Sequence, residues 1–260
     1  ILAGLGNDTI DMSGANASVY INLNDGAFSS GAAAVPSAAV INAIGIFWII
    51  VLPSFLLGGA LLDLSKVLDE YDDRLMAAEA WLGPLDRMAN WVRPDEYHQS
   101  FNFDYMHGDY EPAAIKKIIT DSIVEYGKVG ASSTWVMSNH DGIRHATRLG
   151  IAPENTPRPG DGIHPTDPAP DEALGLRRAR AATSFMLGLP GSSYLYQGEE
   201  LGLPEAWQLE GKYRQDPTYA RTNGKRIGRD GCRVPLPWEA GAGAANGFNT
   251  TGESWLPQPA

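Results

Sequence analysis

Thr134-Trp135-Val136-Met137-Ser138-Asn139-His140-Asp141 passes from a short apolar run into a polar tail that ends on an imidazole and a carboxylate. Such a run is too short for a helix and reads as a buried strand with chemistry-bearing groups at its C-terminal end. Three more runs share the pattern: Leu75-Met76-Ala77-Ala78 before Glu79, Phe101-Asn102-Phe103-Asp104, and Ser193-Tyr194-Leu195-Tyr196. Helical spacing fills the gaps. Ile115, Ile118, Ile119 and Tyr126 lie between Pro112 and Gly127, and Leu174, Arg177, Arg178, Ala182, Phe185 and Met186 make a helix stopped at Gly188-Leu189-Pro190. Residues 151–170 hold six prolines and read as a long surface loop. Strands alternating with helices imply a parallel sheet of α/β class, with function at the strand C-terminal ends.

Glu79 and Asp141 each end such a strand. Carboxylates from two strands of one parallel barrel converge at its mouth, as glycoside hydrolysis requires: a proton donor of raised pKa and an ionised partner at the oxocarbenium-like centre. Trp81 and Trp135 would offer apolar faces to sugar rings. Strand-end carboxylates also cap helices or pair with arginine, so this reading of the residues leaves both uses open.

Composition narrows the choices. The chain has 260 residues with 20 Lys+Arg against 31 Asp+Glu, a net charge of −11, which argues against a phosphate-tracking nucleic-acid surface. Cys232 is the one cysteine, so there is no internal disulfide, and a cysteine-based zinc site is not expected. Charge is unevenly spread: residues 1–62 carry Asp8, Asp11 and Asp25 and no Lys or Arg. That break reads as a boundary and divides the chain into a β-rich segment (1–45), an apolar junction (46–62) and an α/β part (63–260).

Ala3-Gly4-Leu5-Gly6-Asn7-Asp8-Thr9-Ile10-Asp11 follows a nonapeptide calcium-roll pattern, and Val19, Ile21 and Leu23 alternate as a half-buried strand does. With Ile21–Ser29 and Val40–Gly45, this opening is similar to the repeats-in-toxin tail of serralysin-type secreted proteases. One nonapeptide has no neighbours to stack on, and the plain alternative is a glycine-rich turn. The 18 residues Gly45–Leu62 are almost wholly apolar and reach the lower limit of a membrane span. Pro53 and Gly58-Gly59 interrupt them and no basic cluster flanks them, so a buried junction is the expectation and a membrane segment the alternative.

Five motifs lead further: Ala78-Glu79-Ala80-Trp81; Arg93-Pro94-Asp95-Glu96 leading to Phe101–Asp104; Trp135–Asp141 with Arg144-His145-Ala146-Thr147-Arg148; Tyr194–Gly202; and Arg229-Asp230-Gly231-Cys232-Arg233-Val234-Pro235-Leu236-Pro237-Trp238. In kind and order they resemble the bacterial alpha-glucosidases of glycoside hydrolase family 13, the alpha-amylase family, from about residue 63 onward. The resemblance implies a partial TIM (β/α)8 barrel, strands five to eight, preceded by the small β-rich segment. It also implies a retaining mechanism on alpha-linked glucosides, with Glu79 as general acid/base and Asp141 as transition-state stabiliser. His140 and Arg233 would contact the sugar. The loops 155–171 and 205–229 would rim the pocket. No cofactor or metal ion is implied for these residues. The implied partner is a small carbohydrate and the expected location the cytoplasm, with a secreted or membrane-associated chain as the alternative.

One element of the family pattern is not found. The nucleophile of such enzymes is an aspartate in a Gly-Phe-Arg-Ile-Asp-like motif ending the fourth strand, and residues 1–78 contain nothing like it. The expectation is a chain inactive by itself. Two non-enzymatic readings compete: a membrane-anchored subunit related to this family, and a secreted calcium-binding repeat protein. Glu79, His140 and Asp141 together disfavour the first, because a subunit freed from catalysis has no chemical need of them.

Overall fold

In a computed structural model of the chain, residues 66–72, 74–241 and 245–258 are described, together with the backbone of two short strands nearer the start. These are β1 (Thr9–Asp11) and β2 (Tyr20–Asn22), an antiparallel pair with Ile10 opposite Ile21. The rest of the β-roll-like opening and the apolar stretch 45–62 lie outside the described residues. Among the described residues no helix is long and apolar enough to cross a membrane.

Two units divide the chain: Ile1–Asn102 with Ile119–Thr134, and Phe103–Ile118 with Trp135–Ala260. In the first, β3 (Ala77–Ala78) pairs in parallel with β4 (Gln99–Ser100), Ala78 lying opposite Ser100. A parallel pair needs a crossover, and here it runs through α1 (Leu85–Ala89) and a 3-10 turn, Asn90–Val92. Phe101 makes a further parallel bridge to Thr134. The core gathers Leu68, Met76, Ala78, Met88, Val92, Tyr97 and Tyr126.

The alternation at Phe101–Asp104 predicts a strand, but the ladder ends at Phe101 and Phe103 opens α2 (Phe103–His107). The alternation misleads because Asn102 is itself buried, its amide donating to Ser122 Oγ and Ser133 Oγ at 2.7 and 3.0 Å. The next helix, α3 (Pro112–Lys128), half-buries Ile115, Ile118 and Ile119 and buries Ser122 and Tyr126. It runs one residue past Gly127, and Gly130 takes the left-handed turn at φ 76°.

β5 (Thr134–Val136), buried throughout and part of the second unit from Trp135 onward, is hydrogen-bonded to β6 (Ser192–Tyr194). A strand buried on both faces reads as a continuous apolar run rather than an alternating one. Between them lie α4 (His145–Arg148), the proline-rich loop and α5 (Glu172–Leu187), which Asp171 caps by accepting the Leu174 N–H at 2.9 Å. The buried face of α5 is Gly175, Ala179, Ala182 and Met186, while Phe185 is half exposed. Small residues on that face let α4 approach closely: a Cβ on Gly175 would meet the carbonyl oxygen of Ala146. A short helix, α6 (Pro217–Arg221), follows, capped by Asp216.

Candidate active site

Strand β5 delivers His140 and Asp141 to a loop in which the Asp141 N–H donates to Asn139 Oδ1 at 2.9 Å. Two guanidinium groups converge on Asp141 Oδ1, Arg229 Nη1 at 2.9 Å and Arg233 Nη2 at 2.5 Å. Arg233 Nε also donates to the His140 carbonyl at 2.7 Å, so one arginine grips two consecutive residues. The His140 ring lies 3.4 Å from the same carboxylate oxygen. Burial lowers the His140 pKa, and Arg233 and Arg229 act in the same direction against Asp141, so the imidazole is held neutral around pH 7.

Arg229 is itself held from behind. Its Nε and its backbone N–H both donate to Asp216 Oδ2, at 2.6 and 3.0 Å, and the Asp216 side chain is fully buried. Asp230 returns the tie, its carboxylate accepting the backbone N–H groups of Gln215 and Asp216 at 3.1 Å. The loop that carries these arginines is fastened by Arg144, which is 1% exposed. Arg144 Nη2 donates to the Cys232 carbonyl at 2.9 Å and Nη1 to the Gln197 carbonyl at 2.8 Å, with the guanidinium 4.7 Å from the Tyr196 ring centre. The Tyr196 hydroxyl donates to the same Cys232 carbonyl at 2.9 Å. Glu205 accepts the Arg144 N–H at 3.0 Å, and burial, opposed by Arg144, pushes its pKa up to about 7.

Three of the sequence motifs thus meet within the second unit. The family description "Alpha amylase, catalytic domain" matches residues 61–259. The chain belongs to the alpha-amylase catalytic-domain family. It is 29% identical over 164 residues to a probable alpha-glucosidase of Rhizobium meliloti (strain 1021), covering 63% of this chain and 25% of that protein. It is 28% identical over 200 residues to Maltase A1 of Drosophila melanogaster, covering 72% and 29%. Among solved structures, an alpha-glucosyl transfer enzyme, XgtA, superposes with a TM-score of 0.58 at 30% identity, over 77% of this chain and 33% of that one. The chain spans about a quarter to a third of the length of these relatives. The fold of the alpha-amylase catalytic domain, a TIM barrel, is therefore present in part.

Of the four residues expected at the site of this family member, the second unit brings His140, Asp141 and Arg233 into one hydrogen-bonded cluster. Glu79 follows β3 in the first unit, half buried and engaged in contacts. Trp135 is not a sugar platform: it is 0% exposed, packs edge-on to Tyr105 and donates its Nε1–H to the Pro190 carbonyl at 2.8 Å. A strand buried on both faces leaves its indole no route to solvent. Trp81, by contrast, is 54% exposed. The loops expected to rim the pocket are tied together, since the Asp161 carbonyl accepts the N–H groups of Ile227 and Gly228 and its carboxylate pairs with Arg226.

Arg229, Asp216 and Arg144 escape the sequence reading as separate residues. Arg144 and Arg229 lie inside quoted motifs, which was a usable signal. Asp216 had only that of a helix-capping aspartate before Pro217.

Proposed function

We propose that residues 63–260 form strands five to eight of the barrel and carry part of a retaining alpha-glucosidase site acting on alpha-linked glucosides. The family match over residues 61–259 supports this reading. Glu79 is the general acid/base, protonating the departing glycosidic oxygen and later accepting a proton from water. Asp141 stabilises the positive charge that grows at the anomeric carbon, and His140 and Arg233 bind sugar hydroxyls.

The observation that carries this reading is the double guanidinium grip on Asp141 Oδ1. Two cations fix the direction of the carboxylate, as a group must be fixed to stabilise charge without reorganising during reaction. Oδ2, which neither guanidinium bonds, is the oxygen assigned to sugar hydroxyls. The neutral His140 can donate one hydrogen bond and accept another, as a hydroxyl-rich ligand requires. A neutral sugar needs no basic surface, which suits a chain of net charge −11.

A retaining reaction also needs a nucleophilic carboxylate, and residues 1–78 hold no motif of the kind that supplies it. The 260-residue polypeptide by itself is therefore expected to bind alpha-glucosides without turning them over. The test pairs a glucose-configured iminosugar with an aryl alpha-glucoside. Iminosugar binding that disappears in Asp141→Asn supports the site. Release of the aryl alcohol by the unmodified chain, lost in Glu79→Gln, would show that the chain itself supplies a nucleophile and overturn the expected inactivity.

A further inference from the structure

We infer that Asp216 is a positioning residue, which sets Arg229 against Asp141 and so fixes the direction of the Asp141 carboxylate. This rests on the site reading above and adds a residue to it. The relay is linear: Asp216 Oδ2 holds Arg229 through Nε at 2.6 Å, and Arg229 reaches Asp141 through Nη1 at 2.9 Å. A guanidinium is a rigid planar fork, so fixing its Nε edge fixes where its Nη groups point.

The two oxygens of Asp216 do separate work. Oδ1 accepts the Thr218 N–H at 2.9 Å and caps α6, while Oδ2 accepts both donors of Arg229. Helix capping alone needs one oxygen, and a serine, threonine or asparagine supplies it as well. Full burial of the side chain is costly for a carboxylate unless its charge is answered, and Arg229 answers it. Burial alone would raise the Asp216 pKa, and the bonds from Arg229 and Thr218 outweigh it, so the group stays ionised well below the usual carboxylate range. Gly228 completes the arrangement: at φ 80° it lets the chain turn, and a Cβ there would press on the Asp216 Cβ and Cγ at 2.9 Å. The backbone is thereby brought directly over the carboxylate that its next residue bonds.

Asp216→Asn separates the two duties. Its carbonyl can keep the Thr218 cap while its amide turns N–H groups toward the N–H groups of Arg229. The full chain and this variant are treated with an arginine-selective dicarbonyl such as phenylglyoxal, and modification is mapped by peptide mass spectrometry. The variant is expected to raise the Arg229 modification rate about tenfold, as for loss of one hydrogen bond to a charged group. Arg233 keeps its bonds to His140 and Asp141 and should change little. Equal Arg229 rates in the two proteins overturn the inference, as does a parallel rise at Arg229 and Arg233, which would mean that the loop has simply loosened. If the variant does not fold, exchange of the Arg229 Nε–H in the unmodified chain decides: protection is expected, and exchange at the rate of free arginine overturns the inference.

Iminosugar affinity gives the functional arm. Where the unmodified chain binds, Asp216→Asn should weaken binding about tenfold. Unchanged affinity with Arg229 released overturns the positioning role. No binding by the unmodified chain counts against the proposed function, and Arg229 reactivity then judges the relay separately.

Discussion

Arg144 and Cys232 are 88 residues apart in sequence, and the buried guanidinium of the first donates to the backbone carbonyl of the second at 2.9 Å. That bond, shared with the Tyr196 hydroxyl, fastens the turn from which Arg229 and Arg233 reach Asp141. The turn is tightly seated, since a Cβ on Gly231 would collide with the Glu205 carboxylate.

Arg144→Lys tests this fastening. A lysine keeps the charge but is a point donor that cannot serve the Gln197 and Cys232 carbonyls in the fork geometry. Losing one hydrogen bond from the charged donor costs about 1.5–3 kcal/mol. Urea unfolding should show a loss of that size, and iminosugar binding should weaken with it as the turn loses its anchor.

Glu205 sets a pH dependence. Burial raises its pKa in the folded chain from 4.5 to about 7, so between these values the folded state holds a proton that the unfolded state has released. Its contribution to stability is greatest below pH 4.5 and falls as the pH rises towards 7, then levels off. Glu205→Gln keeps an acceptor for the Arg144 N–H and removes the titration. Melting curves across this range should fall less steeply with rising pH in Glu205→Gln than in the unmodified chain.

Two glycine-to-alanine changes should have opposite signs. Gly127 lies in α3 with nothing within 4 Å of a new Cβ, and Gly127→Ala should stabilise by about 0.5–1 kcal/mol. Gly175 also lies within a helix, but its Cβ would meet the Ala146 carbonyl of α4. Gly175→Ala should therefore destabilise by about 1–3 kcal/mol in urea titrations, because backbone rather than a flexible side chain must give way.

Trp135→Phe separates core from sugar contact. The variant loses the indole bond to the Pro190 carbonyl and leaves a small void, at a cost of about 2 kcal/mol. Iminosugar affinity should be unchanged. A loss of affinity without loss of stability would return Trp135 to the binding surface.

How far the sequence reads depends on the range of the interaction. Ala77–Ala78, Thr134–Val136 and Ser192–Tyr194 fall within or beside the apolar runs that predict strands, and Glu172–Leu187 matches its helical pattern, because periodicity and breakers act over a few residues. Phe101–Asp104 misleads because two phenylalanines separated by one residue look the same at a strand face as at the junction where a ladder gives way to a helix. The order of the motifs, with Glu79, His140, Asp141 and Arg233 inside them, points to the family from local residue types alone.

What local pattern leaves open is partnership. The sequence by itself determined the family, the alternation of strands and helices, and the placing of a carboxylate after β3 and another after β5. It could not choose Arg229 for Asp141, or Asp216 for Arg229, from among 20 basic and 31 acidic residues. Ion pairs have no periodicity, and only packing decides which of many equivalent charges are brought within 3 Å and shielded from water. Tertiary structure likewise decided that Trp135 belongs to the core: indole chemistry serves a buried hydrogen bond and a sugar face equally well, and burial on both sides of β5 leaves only the first.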